Sequence, residues 1–275
     1  MMDYKRPRDL DEAVSLRAAH PDWMVLAGGT DLMVNANHKP EPVGILDLWR
    51  LPGLGFIRAE SSSLVIGAGT TWHEVERHAT IREKLAPLAQ AAREIGALQI
   101  QARATLGGNV GTSSPVGDSL PVLLALDAHL ELASPRGRRT VPYSTWCTGY
   151  RKTLLAADEL IVAARVPLPS ATTRTTWRKV GTRRAQSISK VMGAAAITLD
   201  GGTVVSARVA LGAVADRPLR IGAVEDAVKG LSLSQAAEAA RAALRTAIQP
   251  IDDIRSTATY RRDVAENIVA RFFMS

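Results

Sequence analysis

Two adjacent glycines occur twice in the chain, each time where bare backbone could bind a ligand. The first pair, Gly28 and Gly29, follows the apolar run "WMVLA" and precedes Thr30 and Asp31. Glycine adopts positive φ angles freely and lets backbone N–H groups approach an anion, so the pattern favours a phosphate-binding loop. The threonine adds a hydroxyl. The aspartate only accepts hydrogen bonds, so we expect it to face a ribose hydroxyl, a backbone amide or an arginine.

The second pair, Gly107 and Gly108, lies between Thr105 and Asn109. The same reasoning predicts a second loop that holds the same ligand. A Cβ atom added at Gly28 or Gly108 should then collide with a phosphate. For each pair the alternative is a tight turn without a ligand. Neither pair lies in a GxGxxG or GxxxxGK[ST] motif, so a Rossmann or P-loop nucleotide site is not indicated.

The single cysteine, Cys147, excludes an internal disulfide and any iron–sulfur cluster or thiolate zinc site built by this chain alone. We expect its sulfur to be structural. The five histidines show no metal-binding spacing. The sequence therefore predicts no metal site and no catalytic acid, base or nucleophile.

Charge and composition restrict the partners of the chain. The 34 basic and 27 acidic residues give a net charge of +7, which favours an acidic partner. Aromatic residues are only 4% of the chain and the basic residues are dispersed, so nucleic-acid binding is not expected. The apolar runs are too short to cross a bilayer. The charged N-terminus lacks the apolar region of a secretory signal, so we expect a cytoplasmic protein.

Hydrophobic periodicity predicts alternating helices and strands up to a proline-rich break at Pro167 and Pro169. Asp9 is expected to cap a helix that runs through Ala19. "FIRAE" and "SLVIGAG" read as a hairpin, and residues 71–96 as a helical stretch broken near Thr80. Further elements are strands at "WMVLA", "VGILDL", "AHLELA" and "ELIVAARVPLP", and a helix over residues 120–126.

The two prolines and the polar segment "SATTRTT" that follows them predict a domain boundary near residues 170–175. Three antiparallel strands should follow, the last two joined by a turn at Asp200, Gly201 and Gly202. Helices are predicted over 221–229, 234–248 and 259–273. The expected domains are 1–172, with subdomains of about 1–52 and 53–172, and 173–275.

Four segments together resemble one known family over essentially the whole chain: "AGGTDL", "TLGGN", "SPVGDSLPVLLALDA" and "GYRKTLLAADELI". The chain resembles the FAD-binding medium subunits of the molybdenum hydroxylases, a group that contains carbon monoxide and xanthine dehydrogenases. The resemblance implies an α+β fold: a two-subdomain FAD-binding domain of the vanillyl-alcohol-oxidase type, followed by a small C-terminal α+β domain with an antiparallel sheet and helices.

The resemblance also implies noncovalent FAD, with its diphosphate held by both glycine segments. Thr112 and Asp118 match positions on the adenosine or ribose side. Ile161 and Lys179 match positions that touch the cofactor; otherwise they are a core strand residue and a solvated lysine. Aliphatic Ile95 stands near the position of an aromatic beside the flavin in some relatives. The implied cofactor-binding residues are Leu26, Ala27, Gly28, Gly29, Thr30, Asp31, Leu32, Thr105, Leu106, Gly107, Gly108, Asn109, Thr112, Asp118, Ile161 and Lys179.

By the same resemblance the chain is an electron-transfer subunit of an oxidoreductase. Two partners are implied: a large subunit with the molybdenum cofactor and a small subunit with 2Fe-2S clusters. The final acceptor would be NAD, oxygen or a quinone. The basic segment 178–190, with Arg183 and Arg184, is expected to dock an acidic partner. A stand-alone flavoprotein oxidoreductase of the same fold and a basic binding module without redox function are the alternatives.

Overall fold

A computed structural model describes residues 2–38, 40–183 and 186–274. The chain begins with a small parallel sheet in the order β1-β3-β2, crossed by helix α1. Asp9 caps α1 by accepting a hydrogen bond from the Glu12 N–H, which confirms the sequence prediction. The bounds of this part are β1 Asp3–Lys5, α1 Leu10–Ala19, β2 Met24–Leu26, a 3₁₀ helix Leu32–His38 and β3 Gly44–Asp47.

The next part is an antiparallel sheet in the order β4-β5-β10-β6-β7, with helices α2 to α8 and a two-stranded ribbon, β8-β9. The predicted hairpin is confirmed, because β4 and β5 pair antiparallel. The strands are β4 Ile57–Ala59, β5 Ser63–Gly67, β6 His129–Ser134, β7 Gly137–Pro142, β8 Cys147–Gly149, β9 Lys152–Thr153 and β10 Leu160–Pro167. The helices are α2 Trp72–Arg77, α3 Ala79–Lys84, α4 Ala86–Glu94, α5 Leu98–Gln101, α6 Leu106–Thr112, α7 Leu120–Ala125 and α8 Tyr143–Trp146.

The last part is a four-stranded antiparallel sheet in the order β11-β12-β13-β14, covered by three helices. Buried alanine, valine and phenylalanine side chains form its core between the sheet and the helices. The elements are β11 Thr173–Val180, β12 Val191–Asp200, β13 Thr203–Gly212, β14 Leu219–Arg220, α9 Gly222–Val228, α10 Leu233–Ala247 and α11 Ala258–Met274. The three predicted helices and the Asp200 turn are confirmed.

Two sequence predictions need correction. Residues 82–96 were expected to form one helix, but the chain breaks again at Leu85, before Pro87 enters the first turn of α4. A proline is tolerated in a first turn and disrupts a helix interior. The segment around Gly107 and Gly108 was expected to be a loop, yet both glycines lie in the first turns of α6.

The C-terminal sheet packs directly on the preceding part of the chain. Trp177 of β11 is buried in the larger core, and its indole N–H donates to the Asp118 carbonyl at 3.1 Å. Alanines of β12 and β13 join the same core, which also contains α7. This contact holds β11 directly against the segment after α6.

Candidate cofactor site

The first glycine segment lies at the carboxyl end of β2, in the loop that leads to the 3₁₀ helix. Gly29 has φ +76°, a left-handed conformation that glycine adopts without strain. Within the described residues, the N–H groups of Gly28, Gly29, Thr30 and Asp31 donate to no protein acceptor. Successive free N–H groups in such a turn form a concave nest for an anion. This loop therefore has the donors that a diphosphate requires.

The second glycine segment has a different role from the first. Its N–H groups are used within the protein: Leu106 donates to the Thr70 carbonyl at 2.9 Å and Gly107 to the Ala68 carbonyl at 2.8 Å. Thr105 caps α6 by accepting a hydrogen bond from the Gly108 N–H at 3.1 Å. A threonine before a helix is a capping signal, and this signal could have predicted α6 from the sequence.

The glycines of α6 are required for two different reasons. A Cβ added at Gly107 would lie 2.7 Å from the Ala68 Cβ, so close packing of the backbone needs glycine there. By contrast, a Cβ at Gly108 would meet only the Thr105 hydroxyl at 3.1 Å. At Gly111 it would meet only Ile161 at 3.5 Å. Gly108 and Gly111 thus give α6 a bare outer face bordered by Ile161.

The two glycine segments touch each other. A Cβ at Gly28 would lie 1.9 Å from the Arg103 carbonyl oxygen, so the predicted collision at this position is with protein backbone. Asp31 accepts two hydrogen bonds from Arg151, at 2.8 and 3.1 Å, and one from the Thr112 hydroxyl at 3.4 Å. Of the three partners expected for Asp31, the structure shows an arginine. These contacts bring both segments to one side of the molecule.

Lys179 and Asp118 form a buried ion pair beside these segments. The Lys179 Nζ lies 2.6 Å from Asp118 Oδ2, and the two side chains are 4% and 10% exposed. Lys179 is therefore not the solvated lysine of the alternative interpretation. Ser189 donates to the other carboxylate oxygen at 2.6 Å. Burial raises the pKa of Asp118, while Lys179 and Ser189 offset part of this effect by stabilising the carboxylate.

Asp118 of this ion pair lines a cleft of about 490 Å³ between α4, α6 and the segment before β12. Asn109 also faces the cleft, and its side-chain oxygen accepts a hydrogen bond from Ser119 at 2.6 Å. The rest of the lining is mainly apolar or amide in character. It comprises Ile95, Gly96, Ala97, Gln99, Ile100, Val116, Gly117, Gln186, Ser187 and Ile188. Residues 186–189 lie in the basic segment 178–190, and the sequence assigned them to partner docking and not to the cofactor site.

Five of the residues implied to bind the cofactor have no free polar side chain. Leu106 is fully buried in the core, and the Thr105 hydroxyl is engaged in capping α6. Leu26 and Ala27 lead into the first loop, and Leu32 begins the 3₁₀ helix that follows it. Any contact of these five residues with the cofactor stays a prediction.

The docking role of the basic segment stays a prediction, and Arg183 makes hydrogen bonds within the chain. Its guanidinium donates to the Gln186 carbonyl, from Nε at 3.1 Å and from Nη2 at 2.5 Å. Arg184 lies outside the described residues. Cys147, as expected for a structural residue, is partly buried and its sulfur lies 2.9 Å from the Ser113 hydroxyl. Burial raises the pKa of the Cys147 thiol, which disfavours the reactive thiolate.

The described residues fit a flavin dinucleotide in both chemistry and arrangement. The free N–H groups of residues 28–31 suit its diphosphate, and the mainly apolar cleft beside the ion pair suits a flat aromatic ring. Within the described part of the chain, no helix is long and apolar enough to cross a membrane. The fold and the cleft together define a cofactor-binding protein with two α+β parts.

Comparisons with known proteins identify the family. The family described as "FAD binding domain in molybdopterin dehydrogenase" matches residues 1–169, and the "CO dehydrogenase flavoprotein C-terminal domain" matches residues 177–275. The carbon monoxide dehydrogenase medium chain of Hydrogenophaga pseudoflava is 32% identical, with 98% of this chain and 94% of the relative covered. The xanthine dehydrogenase FAD-binding subunit of Escherichia coli O157:H7 is also 32% identical, covering 98% and 93%.

A solved structure agrees with these sequence comparisons. Carbon monoxide dehydrogenase from Hydrogenophaga pseudoflava, in a form lacking the Mo-pyranopterin moiety, matches with a TM-score of 0.94 and 33% identity. The match covers 98% of this chain and 95% of that one. The chain therefore belongs to the FAD-binding subunits of the molybdenum hydroxylases, and it is an FAD-binding oxidoreductase subunit. The resemblance inferred from its motifs and the expected fold class are confirmed.

Proposed function

We propose that this chain is the electron-transfer subunit of a heteromeric molybdenum hydroxylase. When bound, noncovalent FAD would supply the redox chemistry, taking electrons from 2Fe-2S clusters of a small partner and giving them to NAD⁺, oxygen or a quinone. Substrate oxidation would occur at a molybdenum cofactor on a large partner. Full-length similarity to the medium and FAD-binding subunits of such enzymes supports this assignment over a stand-alone flavoprotein.

The observation that carries the proposal is the row of free N–H groups at residues 28–31. They would bind the diphosphate, and the bare face of α6 at Gly108 and Gly111 would let the cofactor lie against the helix. Thr112 and Asp31 stand at one end of this path. The cleft lined by Ile95 and Asp118 stands at the other end. We assign the flavin ring to the cleft, which moves Asp118 from the adenosine side to the flavin side.

The ion pair would hold the flavin and set the electrostatic field around it. Lys179 places a buried positive charge behind Asp118, next to the cleft, and a positive charge near a flavin favours its reduced, anionic form. Asp118 compensates that charge and thereby limits the effect. Ile95 and Ile188 would exclude water from the ring faces. We assign no proton-transfer step to this chain.

The proposal is tested by purifying the chain from its native host and identifying what accompanies it. We expect a yellow protein that carries FAD, together with one subunit containing molybdenum cofactor and one containing 2Fe-2S clusters. Acid precipitation should release the flavin into the supernatant, because the attachment is noncovalent. A flavin-free chain would reject the proposed site. A flavin-loaded chain that purifies without partners and oxidises its own substrate would favour the stand-alone alternative.

A further inference from the structure

Three arginines surround Trp49, which follows β3 at the carboxyl end of the parallel sheet. The Arg103 guanidinium carbon lies 4.0 Å from the centre of the indole ring, and that of Arg50 lies 5.6 Å from it. Arg6 donates to the Trp49 carbonyl at 3.2 Å. Within the described residues, none of the three forms an ion pair with a carboxylate. The cluster therefore holds uncompensated positive charge.

The nearby carboxylate of Asp47 is engaged elsewhere. One of its oxygens accepts a hydrogen bond from the Tyr4 hydroxyl at 2.5 Å, and the other accepts from the Trp49 N–H at 2.8 Å. Asp47 thus fixes the backbone of Trp49 and does not neutralise the arginines. An anion from outside the protein would find both charge and free donors here.

Arg103 is the member of the cluster that reaches the first glycine loop. Its Nε lies 3.4 Å from the Gly28 carbonyl, and its own carbonyl packs against the Gly28 Cα. Arg103 also precedes the Thr105 cap by two residues. It therefore stands where both glycine segments meet, beside the free N–H groups of residues 28–31.

The Arg103 guanidinium lies over the face of the Trp49 indole. Arginine stacks well on aromatic faces and presents five N–H donors in a rigid fork. The Nε bond to Gly28 uses one donor, and within the described part of the chain both Nη groups have no protein acceptor. A planar pair of Nη groups next to a nest of backbone N–H groups is suited to a bidentate bond with a phosphate.

We infer that Arg103, oriented by Trp49, binds the diphosphate of the cofactor and supplies the positive charge that the glycine loop lacks. The inference rests on the proposed cofactor site. The backbone N–H groups alone offer partial charges, whereas a dinucleotide diphosphate is doubly negative at neutral pH. Arg151 cannot serve in the same way, because Asp31 already engages it.

The test measures FAD affinity and folding stability of the full-length apoprotein in parallel. Arg103→Met keeps an apolar chain over Trp49 but removes the charge, and we expect it to weaken FAD binding about tenfold or more. Arg103→Lys should recover part of the loss. Trp49→Leu, which leaves the arginine unoriented, should give an intermediate loss. The control is Arg82→Ala, which changes an exposed arginine of α3 outside the cluster around Trp49. This variant should bind FAD as the wild type does.

Two readouts separate this binding role from a purely structural one. The melting temperature of apo Arg103→Met should stay close to that of the wild type, and its deficit in FAD affinity should shrink at high salt, because ions screen the lost attraction. Unchanged FAD affinity in Arg103→Met would overturn the inference. The inference would also be overturned if Arg103→Met lost FAD affinity only because its apoprotein was less stable, and if Arg103→Lys did not restore that affinity. Wild-type apoprotein that bound no FAD would instead reject the proposed site, and the inference with it.

Discussion

Lys179 is a buried cation whose only carboxylate partner in the described residues is Asp118, at 2.6 Å. Removing one member of a buried pair leaves the other charge desolvated and without compensation, which costs about 3–5 kcal/mol. Lys179 also donates a hydrogen bond to the Glu94 carbonyl at 3.3 Å and so joins β11 to the end of α4. Through this contact the pair helps to fix the geometry of the cleft.

We predict that Lys179→Met destabilises the apoprotein by about 3–5 kcal/mol at neutral pH. The pKa of Asp118 already lies above its ordinary 3.8 because of burial, and it will rise further without the lysine. A raised folded-state pKa means that the penalty is absent below about pH 3.8 and grows as the pH rises through the new pKa. Denaturant unfolding at several pH values measures this dependence.

Two further variants control this experiment. Lys84→Met removes an exposed lysine of α3 and should leave the free energy of unfolding nearly unchanged. Asp118→Asn combined with Lys179→Met should recover part of the lost stability, since no charge then remains buried. Wild-type stability of Lys179→Met at neutral pH would show that Asp118 is not held as a buried carboxylate.

At the scale of single elements, α6 requires glycine for packing at Gly107, and the proposed site adds a binding requirement at Gly108. Gly108→Val adds a side chain on the open face of the helix, where only the Thr105 hydroxyl lies within 4 Å. We predict that this variant folds with nearly unchanged stability, because valine costs a helix no more than glycine does. It should nevertheless lose FAD, since the added methyl groups occupy the proposed path of the cofactor. Flavin content and melting temperature are the two measurements.

The matched control is Gly222→Val, which adds the same side chain at the exposed first residue of α9 with no atom within 4 Å. It should retain both stability and flavin. Gly28→Val is unsuitable as a probe of binding, because its Cβ would overlap the Arg103 carbonyl and disturb the fold itself. Full flavin occupancy in Gly108→Val would remove α6 from the cofactor site.

The turn before α11 depends on one carboxylate. Burial would raise the pKa of Asp253, but the N–H groups of Arg255 and Ser256 and the Arg261 guanidinium lower it to about 2. A depressed pKa contributes stability above the ordinary 3.8 that is lost as the pH falls towards about 2. We predict that Asp253→Asn lowers the free energy of unfolding by about 1–2 kcal/mol at neutral pH, after allowance for solvent screening.

The difference between wild type and Asp253→Asn should narrow as the pH falls from about 4 to about 2, because the wild-type carboxylate becomes protonated. Chemical unfolding across this range measures the difference. Asp226→Asn, at an exposed position in α9 whose carboxylate forms no ion pair within the described residues, is the control. If the difference in the free energy of unfolding between wild type and Asp253→Asn stayed constant with pH, ionisation of Asp253 would not be its cause.

Local sequence signals predicted most elements of the fold. The Asp9 cap, the hairpin β4-β5 and the Asp200 turn depend on residues close in sequence, and all three are confirmed. The break at Leu85 and the helix α6 were missed although Pro87 and the Thr105 cap indicated them. Helical periodicity outweighed the signal of Pro87 in the first case, and the adjacent glycines outweighed the Thr105 cap in the second.

The candidate site was only partly predictable, since much of it arises from contacts between distant segments. The partners of Asp118 lie more than fifty residues away, at Lys179 and Ser189. The same holds for Arg103 over Trp49 and for Arg151 beside Asp31. No periodicity or spacing encodes such pairs. Family resemblance supplied Asp31, Asp118 and Lys179. Ser189, Arg103 with Trp49, and Arg151 became evident only in the three-dimensional arrangement.

At the scale of the whole molecule, the proposed function makes the chain depend on partners for its chemistry. With one cysteine it cannot build an iron–sulfur cluster by itself, and its relatives are named as single subunits of dehydrogenases. The proposed division of labour places substrate oxidation on another chain. An isolated, FAD-loaded chain should then be competent to accept electrons but unable to obtain them from a substrate.

We predict that the purified FAD-loaded chain is bleached by dithionite but not by xanthine, nicotinate or an aldehyde. These compounds represent the substrate types in the names of its relatives. The native complex is the control: the compound that it oxidises should bleach the flavin of this chain only when both partners are present. Restoring the iron–sulfur subunit without the molybdenum subunit should give no bleaching by substrate. Oxidation of any of these compounds by the chain alone would place substrate chemistry on this subunit and refute the proposed division.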